Sequence, residues 1–118
     1  MNDKCPQKIL IMADYAPDAY AWDYATSDCL GPINEYLPAN SELSQLDDEL
    51  SKWCDWFDKS CTFDGGDPNF PWTDFYEQGM ALAGRLAVVL KPYGIEIYYQ
   101  LPYEDPKGKG ARPVRVLV

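Results

Sequence analysis

A chain of 118 residues and 13.4 kDa, 47% apolar and with 17 aromatic side chains, is long enough for one core and too apolar for whole-chain disorder. It contains no histidine, which excludes Ser-His and Cys-His nucleophile pairs, histidine metal sites and a histidine pH switch. Ten basic against nineteen acidic residues leave a net charge of −9, so a phosphate backbone is repelled and direct nucleic-acid binding is disfavoured.

The acidic excess is uneven. Residues 1–80 hold 4 basic and 16 acidic side chains, a net of −12, and residues 81–118 hold 6 basic and 3 acidic, a net of +3. A field of that sign steers a basic partner, and it also keeps a protein soluble. No run approaches the roughly 20 apolar residues of a membrane span. Met1–Lys4 leads into the first apolar run without the long h-region of a secretion signal, so a cytoplasmic location is expected. Cys5, Cys29, Cys54 and Cys61 show neither CxxC nor zinc spacing and are read as structural or incidental thiols.

Along the chain, Gln7–Ala13 reads QKILIMA, and its unbroken Ile9–Met12 run predicts a strand covered on both faces. A long connection over 14–40 follows, punctuated by Pro17, Gly31, Pro32 and Pro38 but rich in Tyr and Trp, and is read as a structured loop. Asn40 or Ser41 can cap the next element, where Leu43, Leu46, Leu50, Trp53 and Phe57 recur at steps of 3 and 4. That stripe predicts an amphipathic helix ending near Cys61, before the turn cluster Gly65-Gly66-Asp67-Pro68.

A second helix is expected with Thr73 as N-cap, Asp74 and Glu77 in its first turn, and Phe75, Leu82, Leu86 and Val89 as its stripe. Gly79, Ala83 and Gly84 are small enough for a close neighbour, and Gly94 is placed to stop it. Gly94–Leu101 alternates as a strand, 102–112 is an exposed loop with a basic tip, and Val114–Val118 closes as another strand. The result is one α/β domain over residues 1–118, a small mixed sheet of about three strands with two main helices packed on it. The order is β-loop-α-α-β-β, with the first two strands parallel and the last two antiparallel.

Chemistry-bearing motifs are few. Asp47-Asp48-Glu49 is dense, but adjacent helical residues splay about 100° apart and do not converge on an ion, so all three are read as helix-surface acids. Asp64-Gly65-Gly66-Asp67 lacks the regular ligands of a calcium loop. No G-x-G-x-x-G, P-loop or G-x-S-x-G occurs, so no cofactor, no metal and no enzymatic activity are expected. What stands out is acids interleaved with aromatics, over 14–24 and again over 63–77.

The residue order Ile9-Leu10-Ile11-Met12-Ala13-Asp14-Tyr15, then Ala21-Trp22, then Leu46-x-x-x-Leu50-x-x-Trp53-x-x-x-Phe57, then the Phe75–Leu90 helix and Ile95-Glu96-Ile97-Tyr98, resembles an immunity protein. The type is that of contact-dependent growth inhibition, within the polymorphic toxin systems of bacteria. The resemblance covers most of residues 7–101 and is one of packing residues, so no binding residues carry over from it. It implies a cytosolic protein that binds the toxic domain of a delivered effector as a heterodimer and blocks it. An acidic protein of this size suits a basic nuclease toxin, most readily an RNase. The alternatives are a small acidic enzyme using paired carboxylates and a general interaction adaptor.

For a basic partner whose cleft normally holds phosphates, the best-suited groups are loop acids beside aromatic anchors. That selects Asp14, Asp18, Tyr20, Asp23, Tyr24, Asp64, Asp67 and Trp72 as partner-binding residues, with Asp47, Asp48 and Glu49 acting only at long range.

Overall fold

The computed structural model describes residues 6–38, 40–60, 68–108 and 110–118. In chain order it contains β1 (Lys8–Ile11), β2 (Ala21–Asp23), α1 (Ser41–Ser60), α2 (Trp72–Leu90), β3 (Glu96–Tyr99) and β4 (Val114–Arg115). Single 3-10 turns occupy Ile33–Tyr36 and Lys91–Tyr93. The strands form one mixed sheet in the order β2-β1-β3-β4. β1 and β3 are parallel across the helical crossover, and β3 and β4 are antiparallel, as the element order implied.

Register explains which face is covered. Ile9 lies beside Ile97 and Ile11 beside Tyr99, and all four are buried. Tyr99 meets the ring of Trp53 from α1 at 6.2 Å, so this is the helix-covered face. Leu10, beside Trp22 on one side and Tyr98 on the other, belongs to the opposite face and is only half-buried. β1 is therefore not covered on both faces. The row Trp22–Leu10–Tyr98 shields its own apolar surface, and an unbroken apolar run needed no second helical layer.

The connection over 14–40 is folded locally and supplies the fourth strand. β2 pairs antiparallel with β1, and the chain then doubles back through Ser27, a bridge between Trp22 and Cys29, and a bond from Leu30 N to Ala21 O of 2.8 Å. Ala-Trp-Asp is too short to show an alternation, so only its pairing reveals it as a strand.

α1 begins as its sequence requires. The Asn40 side-chain oxygen accepts the Leu43 N–H at 3.1 Å, and the whole Leu43–Phe57 stripe is buried. Each fully buried Leu or Phe of that stripe contributes roughly 1.5–3 kcal/mol by leaving water. α2 starts one residue before Thr73: Trp72 opens it, Pro71 holds the cap position, and the Phe75 N–H bonds the Pro71 carbonyl at 3.0 Å. Gly79 is where the helices meet, because a Cβ there would stand 2.6 Å from Trp53 Cζ2. Gly84 faces open space instead. Gly94, at φ +73°, ends the following 3-10 turn with its N–H on the Lys91 carbonyl.

The β3–β4 connection is not an exposed loop along its length. Consecutive turns bond Asp105 N to Pro102 O at 3.1 Å and Gly108 N to Asp105 O at 2.7 Å, burying Pro102, Asp105 and Gly108. A Cβ on Gly108 would collide with the Pro102 carbonyl, so only glycine lets this turn close. No helix among the described residues is long and apolar enough to cross a membrane.

Candidate functional site

A concave part of the surface lies beyond the C-terminal ends of the parallel strands, the position where open α/β sheets place ligands. A cavity of about 510 Å3 opens there between two walls. The first two turns of α2 supply Trp72, Thr73, Tyr76 and Glu77, and the β3–β4 connection supplies Leu101, Asp105, Pro106 and Lys107. Trp72 is fixed by edge contacts with Phe70 at 4.6 Å and Phe57 at 6.4 Å, and Tyr76 stands edge-on to Tyr99 at 5.7 Å.

Asp105 is the unusual member, a carboxylate only 4% exposed. One of its oxygens accepts the Lys107 backbone N–H at 2.8 Å, which shapes the turn. Among the described residues no cation pairs with it. Behind the wall, the buried Tyr99 hydroxyl has no hydrogen-bond partner among the described residues. Burial first, then neighbouring Tyr76 and the Asp105 charge, raise its pKa far above that of an ordinary phenol, so it stays protonated.

Of the residues expected to bind a partner, Trp72 alone lines this cavity. Asp14 and Asp18 follow the same end of β1, but each is engaged locally: Asp14 Oδ1 accepts Tyr15 N at 2.7 Å, and Asp18 Oδ1 accepts the Ser51 hydroxyl at 2.7 Å. Asp18 holds φ +58°, a left-handed conformation that Asp tolerates in turns. Asp23 and Tyr24 sit at the other end of β1, beside Ile9 and Lys8. There Asp23 Oδ1 accepts Ala25 N at 2.9 Å, and the exposed Tyr24 ring leans on Tyr98 at 4.5 Å. Asp64 and Asp67 lie outside the described residues.

Two expectations are corrected. Tyr20 cannot meet a partner's surface, because it is 0% exposed and points inward to α1. Asp47 is not a surface acid: it is 4% exposed and accepts the Tyr20 hydroxyl at 2.7 Å, Ile33 N at 2.9 Å and Asn34 N at 2.9 Å. It therefore caps the 3-10 turn from inside the protein. Asp48 is exposed as expected, and half-buried Glu49 pairs with Arg85 at 2.9 Å.

Cys54 is buried, with Sγ 3.4 Å from the Ala19 carbonyl, and Cys29 is exposed. Burial pushes the Cys54 thiol up to about 11, with a smaller contribution from Asp58, so no thiolate forms near neutral pH. Cys5 and Cys61 lie outside the described residues. Among the described residues no three Cys, Asp or Glu side chains come together in a group that could hold a metal ion.

No family model, curated protein or solved structure matches this chain. Tyr76, Glu77, Asp105 and Lys107 went unselected in the sequence. Tyr76 and Glu77 stood within the acid-aromatic stretch 63–77, but nothing local marks Asp105 as buried or brings Lys107 to α2.

Proposed function

We propose that this protein is a non-enzymatic inhibitor of the immunity type, acting in the cytoplasm, which binds a basic bacterial toxin domain, an RNase, and covers its active site. One observation supports the reading above others: carboxylates at one end of the sheet lie beside accessible aromatics with no ion-pair partner among the described residues. The three ion pairs among the described residues are Lys59–Asp55, Arg85–Glu49 and Arg115–Glu96. None of them uses Asp14, Asp18, Glu77 or Asp105. The ring of Tyr15 stacks on the buried Phe57, which meets Trp72, so the Asp14 loop and the cavity wall pack on the same core ring.

A cationic cleft that closes on such a surface finds carboxylates to replace the phosphates of its substrate, and aromatic area to exclude water. The test is co-expression with the C-terminal toxin domain of the effector encoded beside it. Restored growth and a co-purifying one-to-one complex are expected. Neither rescue nor binding overturns the reading.

A rival hydrolytic reading draws on Glu77 and Asp105, the two acids lining the cavity. Turnover of a glycoside or phosphodiester by the chain alone, abolished by Glu77→Gln, would favour it.

A further inference from the structure

We propose that the cavity between α2 and the β3–β4 connection receives one basic side chain, arginine in preference to lysine, projected from a protein partner. The inference deepens the inhibitor reading and rests on it for the partner's basic character.

Asp105 carries most of the argument. A carboxylate this buried is stable when a cation and hydrogen bonds replace its water. Its single protein bond, from the Lys107 N–H, leaves the second oxygen without a donor among the described residues, and the residue lines the cavity. Glu77 lines it too, from α2. Asp74, in the first turn, already supplies the negative charge that the start of α2 favours, which argues against an anion there.

The rest of the lining suits a guanidinium. Trp72 and Tyr76 offer aromatic surfaces on which a flat, weakly hydrated cation stacks, and Leu101 and Pro106 offer apolar surface to its methylene stem. Two carboxylates give the forked donor set more than one acceptor, an advantage an ammonium lacks. Lys107 is the one opposing charge in the lining. It forms no ion pair with Asp105 or Glu77 among the described residues, and it is exposed.

The test titrates the full chain with N-acetyl-arginine methylamide, followed by 1H–15N correlation spectra. Parallel titrations use the lysine and norleucine analogues and inorganic phosphate. Saturable shifts are expected at the Trp72 indole N–H and at the Tyr76 and Lys107 amides, strongest with the arginine probe. Asp105→Asn keeps an oxygen for the Lys107 N–H, so the turn survives while the charge goes, and affinity should fall about tenfold. Glu77→Gln, at an exposed position, should weaken binding about threefold, and Lys107→Gln should tighten it.

No saturable shift, an equal response to norleucine, phosphate saturating the same signals, or full affinity in both Asp105→Asn and Glu77→Gln would overturn the proposal. Should Asp105→Asn fail to fold, Glu77→Gln decides alone. The titration needs no toxin. A chain that binds the arginine probe but does not protect cells overturns only the inhibitor reading, and one that protects without binding the probe overturns only this proposal.

Discussion

The Tyr20 hydroxyl donates to Asp47 Oδ1 at 2.7 Å, joining the loop before β2 to the inner face of α1 across 27 residues of sequence. The same carboxylate takes the Ile33 and Asn34 N–H groups, so one buried acid ties the loop before β2, the 3-10 turn and α1 together. A carboxylate can occupy this position because three donors replace the water it loses.

Removing that acid should be among the more damaging single changes. Asp47→Ala leaves three donors without their acceptor and is expected to cost about 3 kcal/mol, whereas Tyr20→Phe, which removes one donor, should cost about 1 kcal/mol. Urea denaturation of both variants and of the double variant checks this. The double variant should be less destabilised than the sum, because the pair shares one network. A cost of Asp47→Ala below that of Asp48→Ala would refute the capping role.

Alkaline pH should unfold the protein. Burial first, then the hydrogen bond to Asp47, raise the Tyr20 phenol; burial raises Tyr99; and burial lifts the Cys54 thiol to about 11 from 9.0. Each group is thus raised in the folded state, so its stabilisation is full below the unfolded pKa and is lost as pH climbs past it. The thiol begins the loss above pH 9.0 and the phenols add to it above pH 10.0. Each contributes up to about 1.4 kcal/mol per pH unit until its folded value is reached. Phenolate absorbance should show two tyrosines that ionise only with the loss of circular dichroism; their free titration in the folded chain would contradict this.

The two glycines of α2 should respond in opposite directions. Gly79→Ala drives a methyl into Trp53 and Tyr99, at 2.6 and 2.9 Å, and overpacking of this kind costs about 1–3 kcal/mol. Gly84→Ala meets nothing within 4 Å and should stabilise the helix by about 0.5–1 kcal/mol. Thermal melts of the two variants give the answer directly, and equal shifts would mean that α1 and α2 do not meet at Gly79.

Tyr24 and Tyr76, both exposed and toward opposite ends of the sheet, separate the possible binding faces. Tyr76→Ala, in the cavity wall, should speed dissociation of a toxin complex about tenfold or more, while Tyr24→Ala leaves it near that of the parent chain. Asp48→Lys should mainly slow association, and added salt should erase that difference. Surface-binding kinetics at low and high salt resolve all three. The reverse ranking of Tyr24 and Tyr76 would move the interface to the β2 end.

Elements governed by neighbours within a few residues were legible in the sequence. Leu43–Phe57 repeats at helical spacing, Asn40 caps it and Gly94 stops the second unit, because caps and amphipathic stripes are local. The parallel pairing of β1 and β3 followed from a helical crossover between two strands. Even Asp47 left a trace, since Leu43, Asp47, Leu50 and Cys54 recur at steps of 4, 3 and 4, a line that the structure buries throughout. Its charge argued for the surface, and only the donors of Tyr20, Ile33 and Asn34, brought up from 13 to 27 residues away, made burial stable. The cavity is of the same kind. Trp72 and Asp105 lie far apart in the chain, and no local pattern relates them. Closing the sheet seats the β3–β4 connection against the start of α2, and folding the turn around Gly108 withdraws the Asp105 carboxylate from water. Periodicity decided the two helices, while pairing alone made β2 a strand and the burial of Asp47 was decided by where distant hydrogen-bond donors arrived.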